Sequence, residues 1–180
     1  MPVHVASRRR TKLRQDFPDA LILDVTSRGD EPWVRLSPFY PHGGIPVPMT
    51  PGVTSQSVEG IWQALKVFER ADVDRRKLDI TTMRDLKRTS RRFGRVLGHR
   101  AGLEGTELLP YREARERIYL PSYRWVLEHR LAALVEELRA LCRAGEVVLL
   151  DYTVNGDVAD ESRPLSHAAL IARYAEHRWP

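Results

Sequence analysis

The sequence lacks the features of secreted and membrane proteins. Its 180 residues include one cysteine, Cys142, which excludes an internal disulfide framework and a cluster of cysteine metal ligands. No apolar run approaches the roughly 18 residues that a membrane span requires, and the amino terminus has no apolar segment of the kind that directs secretion. We therefore expect a cytoplasmic protein without a membrane partner, in which Cys142 has a packing role.

The composition is that of a folded protein. Apolar residues make up 42% of the chain and charged residues 29%, which are ordinary values for a soluble globular domain. The chain has the length of one domain and contains no internal repeat, low-complexity tract or long linker. These properties predict a single domain over residues 1–180, of which residues 1–19 are a flexible basic segment.

Positive charge exceeds negative charge along the chain. The sequence has 29 Lys and Arg against 24 Asp and Glu, a formal net charge of +5. The excess is concentrated in residues 8–10, 84–95 and 112–117. Such a surface favours an anionic partner, either nucleic acid or a phosphorylated small molecule, although arginines scattered over helices are as often solvated or locally paired.

Hydrophobic periodicity predicts a mainly α fold with a few short β-strands, that is, an α+β protein. Short β-branched or buried runs predict strands over residues 21–26, 33–36 and 146–152. Residues 37–52 hold five prolines and three glycines, which predicts a shaped loop. Apolar residues at helical spacing predict helices over residues 58–70, 82–97, 122–143 and 166–177. Ser57 is the expected cap of the first helix, and Gly98 and Gly145 are expected to end the second and third.

Four polar residues share one stripe of the first predicted helix. Glu59, Gln63, Lys66 and Arg70 are separated by four, three and four residues, which places them on one side. From spacing alone, the favoured interpretation is an exposed face in which each side-chain pair stabilises the helix by a few tenths of a kcal/mol. A functional interpretation needs a further signal.

That signal is the loop that precedes the helix. The segment LSPFYP at residues 36–41, followed by Ser57-x-Glu59-x-x-x-Gln63-x-x-Lys66, resembles the NADAR family. That family carries an S-N-F-Y-P loop and an E-x-x-x-Q-x-x-K helix, and Pro38 replaces the Asn here. It includes YbiA-type N-glycosidases of riboflavin intermediates and enzymes that remove ADP-ribose from modified nucleic acid bases.

The resemblance extends over residues 21 to 175 and is looser outside residues 36–66. Residues 94–95 and 98–100 are similar to the family's Gly-Arg segment, and either Tyr119 or Trp125 stands where the family has a tryptophan. The segment LDYTVNGD at residues 150–157 resembles its L-x-E-x-T-x-x-D strand and loop, and residues 164–171 resemble the helix start that follows. The Trp-Gly that follows the Asp in the family is missing here.

The resemblance implies a hydrolase that cleaves the N-glycosidic bond of an ADP-ribosyl or ribosyl-phosphate adduct. Breaking a ribosyl C–N bond passes through an oxocarbenium-like state, which needs a carboxylate and a donor to the leaving group. By the resemblance, Glu59, Asp157 and Tyr119 are the catalytic candidates. The implied substrate-binding residues are Ser37, Phe39, Tyr40, Gln63, Lys66, Arg100, Asn155 and His167.

Among these residues, Lys66 and Arg100, with Arg95 as a further candidate, would bind phosphate, and Gln63 and Asn155 would bind sugar hydroxyls or a base amide. No cofactor is expected. The six histidines show no metal-ligand spacing, so no metal is expected either. The partner is the small-molecule adduct or ADP-ribosylated nucleic acid.

Each assignment has a structural alternative. Asp157 follows Asn155-Gly156 and could simply complete a turn, and His167 at a helix start is more often structural. At the level of function, the chain could be a catalytically reduced module that binds ADP-ribose or NAD-like nucleotides. It could also be a basic nucleic-acid-binding protein that contacts phosphates through residues 8–10 and 91–92.

Overall fold

The computed structural model describes residues 3–180, which form a mixed α+β fold, as the sequence predicted. The strands are β1 (Val3–Ser7), β2 (Leu21–Asp24), β3 (Ile45–Pro46), β4 (Thr54–Ser55), β5 (Lys66–Phe68), β6 (Val96–Arg100), β7 (Leu108–Leu109) and β8 (Val147–Asp151). The α-helices are α1 (Leu13–Asp16), α2 (Val58–Leu65), α3 (Ser90–Phe93), α4 (Tyr111–Ala114), α5 (Leu120–His129), α6 (Ala132–Ala144) and α7 (His167–Ala175). Short 3-10 helices lie at Trp33–Leu36 and Arg75–Asp79, and a π-helical segment at Arg115–Tyr119 joins α4 to α5. Within residues 3–180, no helix combines the length and the apolar character needed to cross a membrane.

Contacts within the chain define two compact units. The first comprises the described residues up to Ser37 together with Leu131–Pro180, and the second is Pro38–Arg130. The first unit is therefore made from both ends of the chain, and the second unit is continuous. Glu59 and Tyr119 belong to the second unit, whereas Asp157 belongs to the first.

The first unit is built on a parallel sheet of three strands in the order β1-β8-β2. The central strand β8 is buried at Val147, Val148 and Leu149, as expected for a strand covered on both faces. Strand β1 lies within residues 1–19, the segment that the sequence predicted to be flexible. Its backbone pairs with β8 over its whole length. Helices α6 and α7 contact each other, and α7 also packs on β1 and β8.

The second unit is organised around the short helix α2. Ile61 and Leu65 of this helix are fully buried, and the helix contacts the π-helical segment, where Ile118 is also fully buried. Strand β5 follows α2 directly and forms an antiparallel sheet in the order β5-β6-β7. Strands β3 and β4 form a separate antiparallel pair within and after the proline-rich loop.

Several helices and strands begin or end where the sequence predicted. The Ser57 side chain caps α2 by accepting a hydrogen bond from the backbone N–H of Gly60. Gly145 follows the last residue of α6, and Ser166 caps α7 by accepting from the N–H of Ala169. Strands β2 and β8 lie where β-branched and apolar runs predicted them, and Cys142 is buried in α6.

The segment Trp33–Leu36 is a 3-10 helix, so the prediction of a strand there was wrong. Pro32 has helical backbone angles, and the N–H of Val34 donates to the carbonyl of Asp30, which starts the turn. Val34 and Leu36 are buried in this conformation. Two apolar residues in a four-residue segment therefore fit a tight turn as well as a strand.

The prediction that the first helix runs to residue 70 was also wrong. Helix α2 ends at Leu65, and Lys66 adopts extended angles as the first residue of β5. Arg70 lies after the strand and is exposed, with its guanidinium donating to the carbonyl of Arg92. The predicted stripe therefore keeps Glu59, Gln63 and Lys66 but loses Arg70.

The predicted helix over residues 82–97 forms only at α3, which ends at Gly94 with a positive φ of 83°. Gly98 does not end a helix but lies within β6, where an added Cβ would come within 2.5 Å of the Leu109 carbonyl oxygen. The segment has too few apolar residues at helical spacing to bury one helix face, so pairing with β5 and β7 determines its second half.

The long helix predicted over residues 122–143 is divided into α5 and α6 at Arg130 and Leu131. Its helical structure also begins earlier than predicted and continues through Pro121. The π-helical segment lies just before this proline, which has no N–H for the backbone hydrogen-bond pattern of an α-helix.

Gly60 tests the packing of α2, because alanine normally stabilises a helix by about 1 kcal/mol relative to glycine. A Cβ at position 60 would lie 2.7 Å from the Lys77 carbonyl oxygen and 2.9 Å from the Ser55 hydroxyl. We expect Gly60→Ala to lower the free energy of unfolding by about 1–3 kcal/mol, against its helix propensity, as measured by urea unfolding.

Gly145→Ala is the matched control. A Cβ at Gly145 meets no atom within 4 Å, and the φ of −165° there is open to any residue. Its unfolding free energy should change by no more than about 0.5 kcal/mol. Equal stability of the two variants would contradict the close approach of Lys77 to α2.

Candidate functional site

Glu59 lies in the first turn of α2 and is only 8% exposed. Its backbone N–H donates to the carbonyl of Pro38 over 2.8 Å, which fastens the proline-rich loop to the start of the helix. A carboxylate in the first helical turn is stabilised by the unpaired N–H groups there. The loop and the helix that carry the family resemblance are thus in direct contact.

Gln63 holds the Glu59 carboxylate in place. Its Nε2 donates to Glu59 Oε1 over 2.8 Å, and its own Oε1 accepts the backbone N–H of Arg88 over 2.9 Å. Both ends of the amide are therefore engaged, which fixes its orientation. Gln63 is 3% exposed, so this polar pair is enclosed by protein.

The guanidinium of Arg88 closes the carboxyl end of α2. Its Nη1 donates to the carbonyls of Gln63 (3.1 Å) and Lys66 (2.6 Å), and its Nη2 donates to the carbonyl of Asp72 (2.7 Å). The guanidinium carbon lies 4.9 Å from the ring centroid of Phe68 and 5.2 Å from that of Phe93. Arg88 thereby satisfies carbonyls that the end of a helix leaves unpaired.

Lys66 is half-buried beside this network. Its ammonium lies 5.9 Å from the ring centroid of Trp62. Burial lowers the pKa of Lys66, the Glu59 carboxylate partly opposes that shift, and the charges of Arg88 and Lys87 add to it. The next cation, Lys87, is exposed, and its ammonium lies 5.3 Å from the ring centroid of Phe39.

An aromatic cluster adjoins Lys66. His99 pairs with Lys66 across strands β5 and β6, and its ring centroid is 3.8 Å from that of Trp62. The Trp62 ring also meets Tyr119 edge-on at 5.7 Å and lies 6.0 Å from Tyr111. Tyr119 therefore belongs to the same cluster as Lys66.

Trp125, the other candidate for the family's tryptophan position, has different neighbours. Its ring stacks on His129 with centroids 4.7 Å apart, and the Arg130 guanidinium lies 5.0 Å from it. Of the two candidates, Tyr119 is the one in contact with Trp62 of helix α2.

His99 is 1% exposed, and burial together with the nearby charge of Lys66 lowers its pKa to about 3. Within residues 3–180, neither of its ring nitrogens has a hydrogen-bond partner. The imidazole is therefore neutral at physiological pH and acts as an aromatic wall rather than as a charge.

The candidates near the carboxyl terminus shape their own loop. Asp157 is exposed, and its Oδ1 accepts the N–H of Ala159 over 2.9 Å. Asn155 accepts the N–H of Asp157 with Oδ1 and donates with Nδ2 to the carbonyls of Asp160 and Arg163. These contacts are those of turn chemistry, the alternative that the sequence left open.

His167 is held between two acceptors. Its Nδ1 lies 2.9 Å from Asp151 Oδ2, and its Nε2 lies 2.9 Å from the carbonyl oxygen of Val25. Because neither partner can donate, both ring nitrogens must carry protons, and the side chain is an imidazolium. Burial opposes this charge, but the Asp151 carboxylate outweighs burial and raises the pKa of His167. These contacts tie the start of α7 to strands β2 and β8.

The remaining candidates have varied surroundings. Ser37 is 2% exposed and follows the Trp33–Leu36 turn, and the Tyr40 ring lies 4.8 Å from that of His42. Arg100 makes a two-pronged ion pair with Asp72 at 2.8 and 3.1 Å and also donates to the carbonyl of Thr106. Its guanidinium therefore already serves protein groups. Among residues 3–180, no three or more His, Cys, Asp or Glu side chains are grouped to hold a metal ion.

The structure thus gathers Glu59, Gln63, Lys66 and Tyr119 around α2. Sequence reasoning missed the contributions of Lys87, Arg88 and His99 to this cluster. His99 lies within the Gly98-His99-Arg100 segment that was noted for its glycine and arginine. Lys87 and Arg88 lie in the part of the predicted helix over residues 82–97 that is not helical, so no local pattern pointed to them.

The buried imidazole of His99 predicts a pH dependence of stability. An unfolded histidine titrates near pH ~6.5, so between that pH and about 3 the unfolded chain binds a proton that the folded chain does not. The free energy of unfolding should therefore fall as the pH is lowered from about 6 to 4, by up to ~1.4 kcal/mol per pH unit from this residue.

The His99→Phe variant should lose this component, and urea unfolding across that pH range measures it. At pH 7 the variant should be at least as stable as the parent, because two unpaired buried nitrogens are removed. His99→Ala is the comparison: it also removes the titrating group but leaves a cavity that lowers stability at every pH. An unchanged slope in His99→Phe would contradict the assignment.

The comparisons with known proteins reach the family level. No curated protein matches the chain. One family model, described as a family of unknown function, matches residues 5–171, which run from β1 into α7 and include all the residues of the Glu59 cluster. The chain therefore belongs to the DUF6939 family, whose function is unknown.

Proposed function

We propose that the protein is an N-glycosidase, a hydrolase that cleaves the bond between ribose and a base in an ADP-ribosyl or ribosyl-phosphate adduct. The observation that carries the proposal is the enclosed Glu59 carboxylate, held by Gln63 and lying beside the Lys66 ammonium. The resemblance of residues 36–66 to the NADAR motifs points to the same three residues.

In the proposed reaction the C1′–N bond breaks, and its electron pair leaves with the base. Positive charge develops on the ribose ring, and the Glu59 carboxylate stabilises it or accepts a proton from the attacking water. The water oxygen bonds to C1′, and its displaced proton balances the proton taken up by the departing base nitrogen. The reaction is a net hydrolysis and needs no cofactor.

Gln63 has a positioning role in this mechanism. A hydrogen bond donated to a carboxylate favours its ionised form, and Gln63 Nε2 supplies one over 2.8 Å. Because Gln63 Oε1 is itself held by the Arg88 backbone N–H, the amide cannot follow a displaced carboxylate without breaking a second hydrogen bond. A fixed acceptor loses little orientation entropy when charge develops in front of it.

The aromatic cluster suits the departing base. Trp62 and Tyr119 are both half-buried, so each offers ring surface that is not fully packed. Stacking on such rings is tolerant of base identity, since every base has a π face. We propose Tyr119 as a stacking residue next to Glu59 and Lys66.

The family resemblance also implies a role for Asp157, and that role is tested separately. Asp157 lies in the other unit and already accepts a backbone hydrogen bond from Ala159. The mechanism above requires only Glu59. Asp157→Asn would keep a side-chain acceptor for Ala159 and remove the charge, so it isolates the catalytic part of its role.

The test is incubation with DNA carrying ADP-ribosylated guanine or thymine and with ribosylated pyrimidine intermediates, with mass spectrometry of the released base or ADP-ribose. We expect turnover by the parent and a loss of about 100-fold or more in Glu59→Gln, which removes the charge but keeps the shape. Glu128→Gln, an exposed glutamate that pairs with Arg124, is the control and should retain turnover.

Other outcomes identify the competing functions. Saturable binding of ADP-ribose without any product would favour a nucleotide-binding module. Affinity for unmodified DNA that falls steeply with salt and is the same in Glu59→Gln would favour a nucleic-acid-binding protein. Either result, if no base is released from any adduct, would contradict the proposal that the protein is a hydrolase.

A further inference from the structure

Two lysine side chains, Lys66 and Lys87, lie in the cluster around Glu59. The charges of Glu59, Arg88 and Lys87 all act on Lys66, and the carboxylates of Asp74 and Asp72 act on Arg88. Within residues 3–180, neither lysine has a carboxylate oxygen within ion-pair distance of its ammonium. The charges of the two lysines are therefore not engaged in an ion pair.

Each lysine ammonium lies by an aromatic ring. Lys66 is 5.9 Å from the Trp62 centroid, and Lys87 is 5.3 Å from the Phe39 centroid. A ring face attracts a cation but does not neutralise it, and it leaves N–H groups of the ammonium available to another acceptor. The rings therefore orient the two ammonium groups without neutralising their charge.

Backbone contacts place Lys87 close to the Glu59 carboxylate. The N–H of the next residue, Arg88, donates to Gln63 Oε1, and Gln63 Nε2 donates to Glu59. On the other side, Phe39 follows Pro38, whose carbonyl accepts the Glu59 N–H. Lys87 and Phe39 thus belong to two segments that are each hydrogen-bonded to α2.

Arg88 supplies charge but has few free donors. Its guanidinium donates to three backbone carbonyls and lies between two phenyl rings. These acceptors are neutral carbonyls, and the more distant Asp74 and Asp72 carboxylates offset part of the guanidinium charge. Direct contacts to a ligand are left to Lys66 and Lys87.

We propose that Lys66 and Lys87 form a subsite for a phosphate group or diphosphate carrying two negative charges, bound beside the Glu59 carboxylate. Two ammonium groups without an ion-pair partner match the charge of such a ligand, and the half-buried ammonium of Lys66 gains most from a charged acceptor. The proposal rests on the proposed function in that it assigns the phosphate of the same substrate. Lys87 is the new residue, and the Phe39 ring positions it.

The experiment is isothermal titration of the Glu59→Gln variant, in which no turnover is expected, with ribose 5-phosphate, ADP-ribose and ribose. Ribose 5-phosphate and ADP-ribose distinguish a phosphate monoester from a diphosphate. We expect at least one to bind more tightly than ribose, and the added Lys87→Gln change to weaken that ligand about tenfold without affecting ribose. Affinity should also fall with added salt.

One control tests whether the charge of Lys87 or its shape is needed, and a second tests whether loss of any exposed lysine has the same effect. Lys87→Arg should restore affinity, because it keeps the cation near Phe39. Lys12→Gln removes an exposed lysine of the other unit and should leave every affinity unchanged. Equal affinity for ribose and both phosphates, or no effect of Lys87→Gln, would overturn the subsite.

The outcome is independent of the hydrolase test. Base release by the parent with no preference for phosphorylated ligands would contradict the phosphate subsite but support the hydrolase. Phosphate binding that depends on Lys87 in a protein without turnover would support the subsite but contradict the hydrolase.

Discussion

The hydrogen bonds of the Arg88 guanidinium to the end of α2 are the contact on which the second unit depends. They satisfy carbonyls that a continued helix would have paired, so the chain can turn at Lys66 and enter β5. The same residue holds Gln63 through its backbone N–H. One arginine thereby binds the end of the helix and the backbone of Lys66 at the start of β5, and it holds the Glu59 carboxylate through Gln63.

Arg88 is held by carbonyls and rings rather than by a direct ion pair of the kind that joins Arg100 to Asp72, and the Asp74 and Asp72 carboxylates act on its charge from further away. A buried cation of this kind costs solvation free energy, and the hydrogen bonds and ring contacts offset that cost. The Arg88 charge also acts on Lys66, on which the Glu59 carboxylate acts as well. A structural residue thus also contributes to the electrostatics of the cluster.

Much of the local structure could be predicted from the sequence, because helix caps act over three or four residues. The sequence predicted the cap at Ser57 and the helix end at Gly145 for this reason. The errors at residues 66–70 and 82–97 occur where distant contacts override local preference, as with Arg88 at the end of α2. The error at residues 33–36 has a local cause, because two apolar residues fit a tight turn as well as a strand. The spacing of Glu59 and Gln63 predicted the part of the cluster that lies on α2. Lys87 and His99 enter it from other segments, which no spacing rule connects to α2.

The strand order β1-β8-β2 has a consequence for synthesis on the ribosome. Both β1 and β2 pair with β8 and not with each other, so they remain without their partner until Val147–Asp151 has been made. All of Pro38–Arg130 is synthesised before then, and its sheets and helices pair among themselves. The unit that carries Glu59 therefore has all its residues before the first unit does, and β1 and β2 cannot form their sheet until β8 is available.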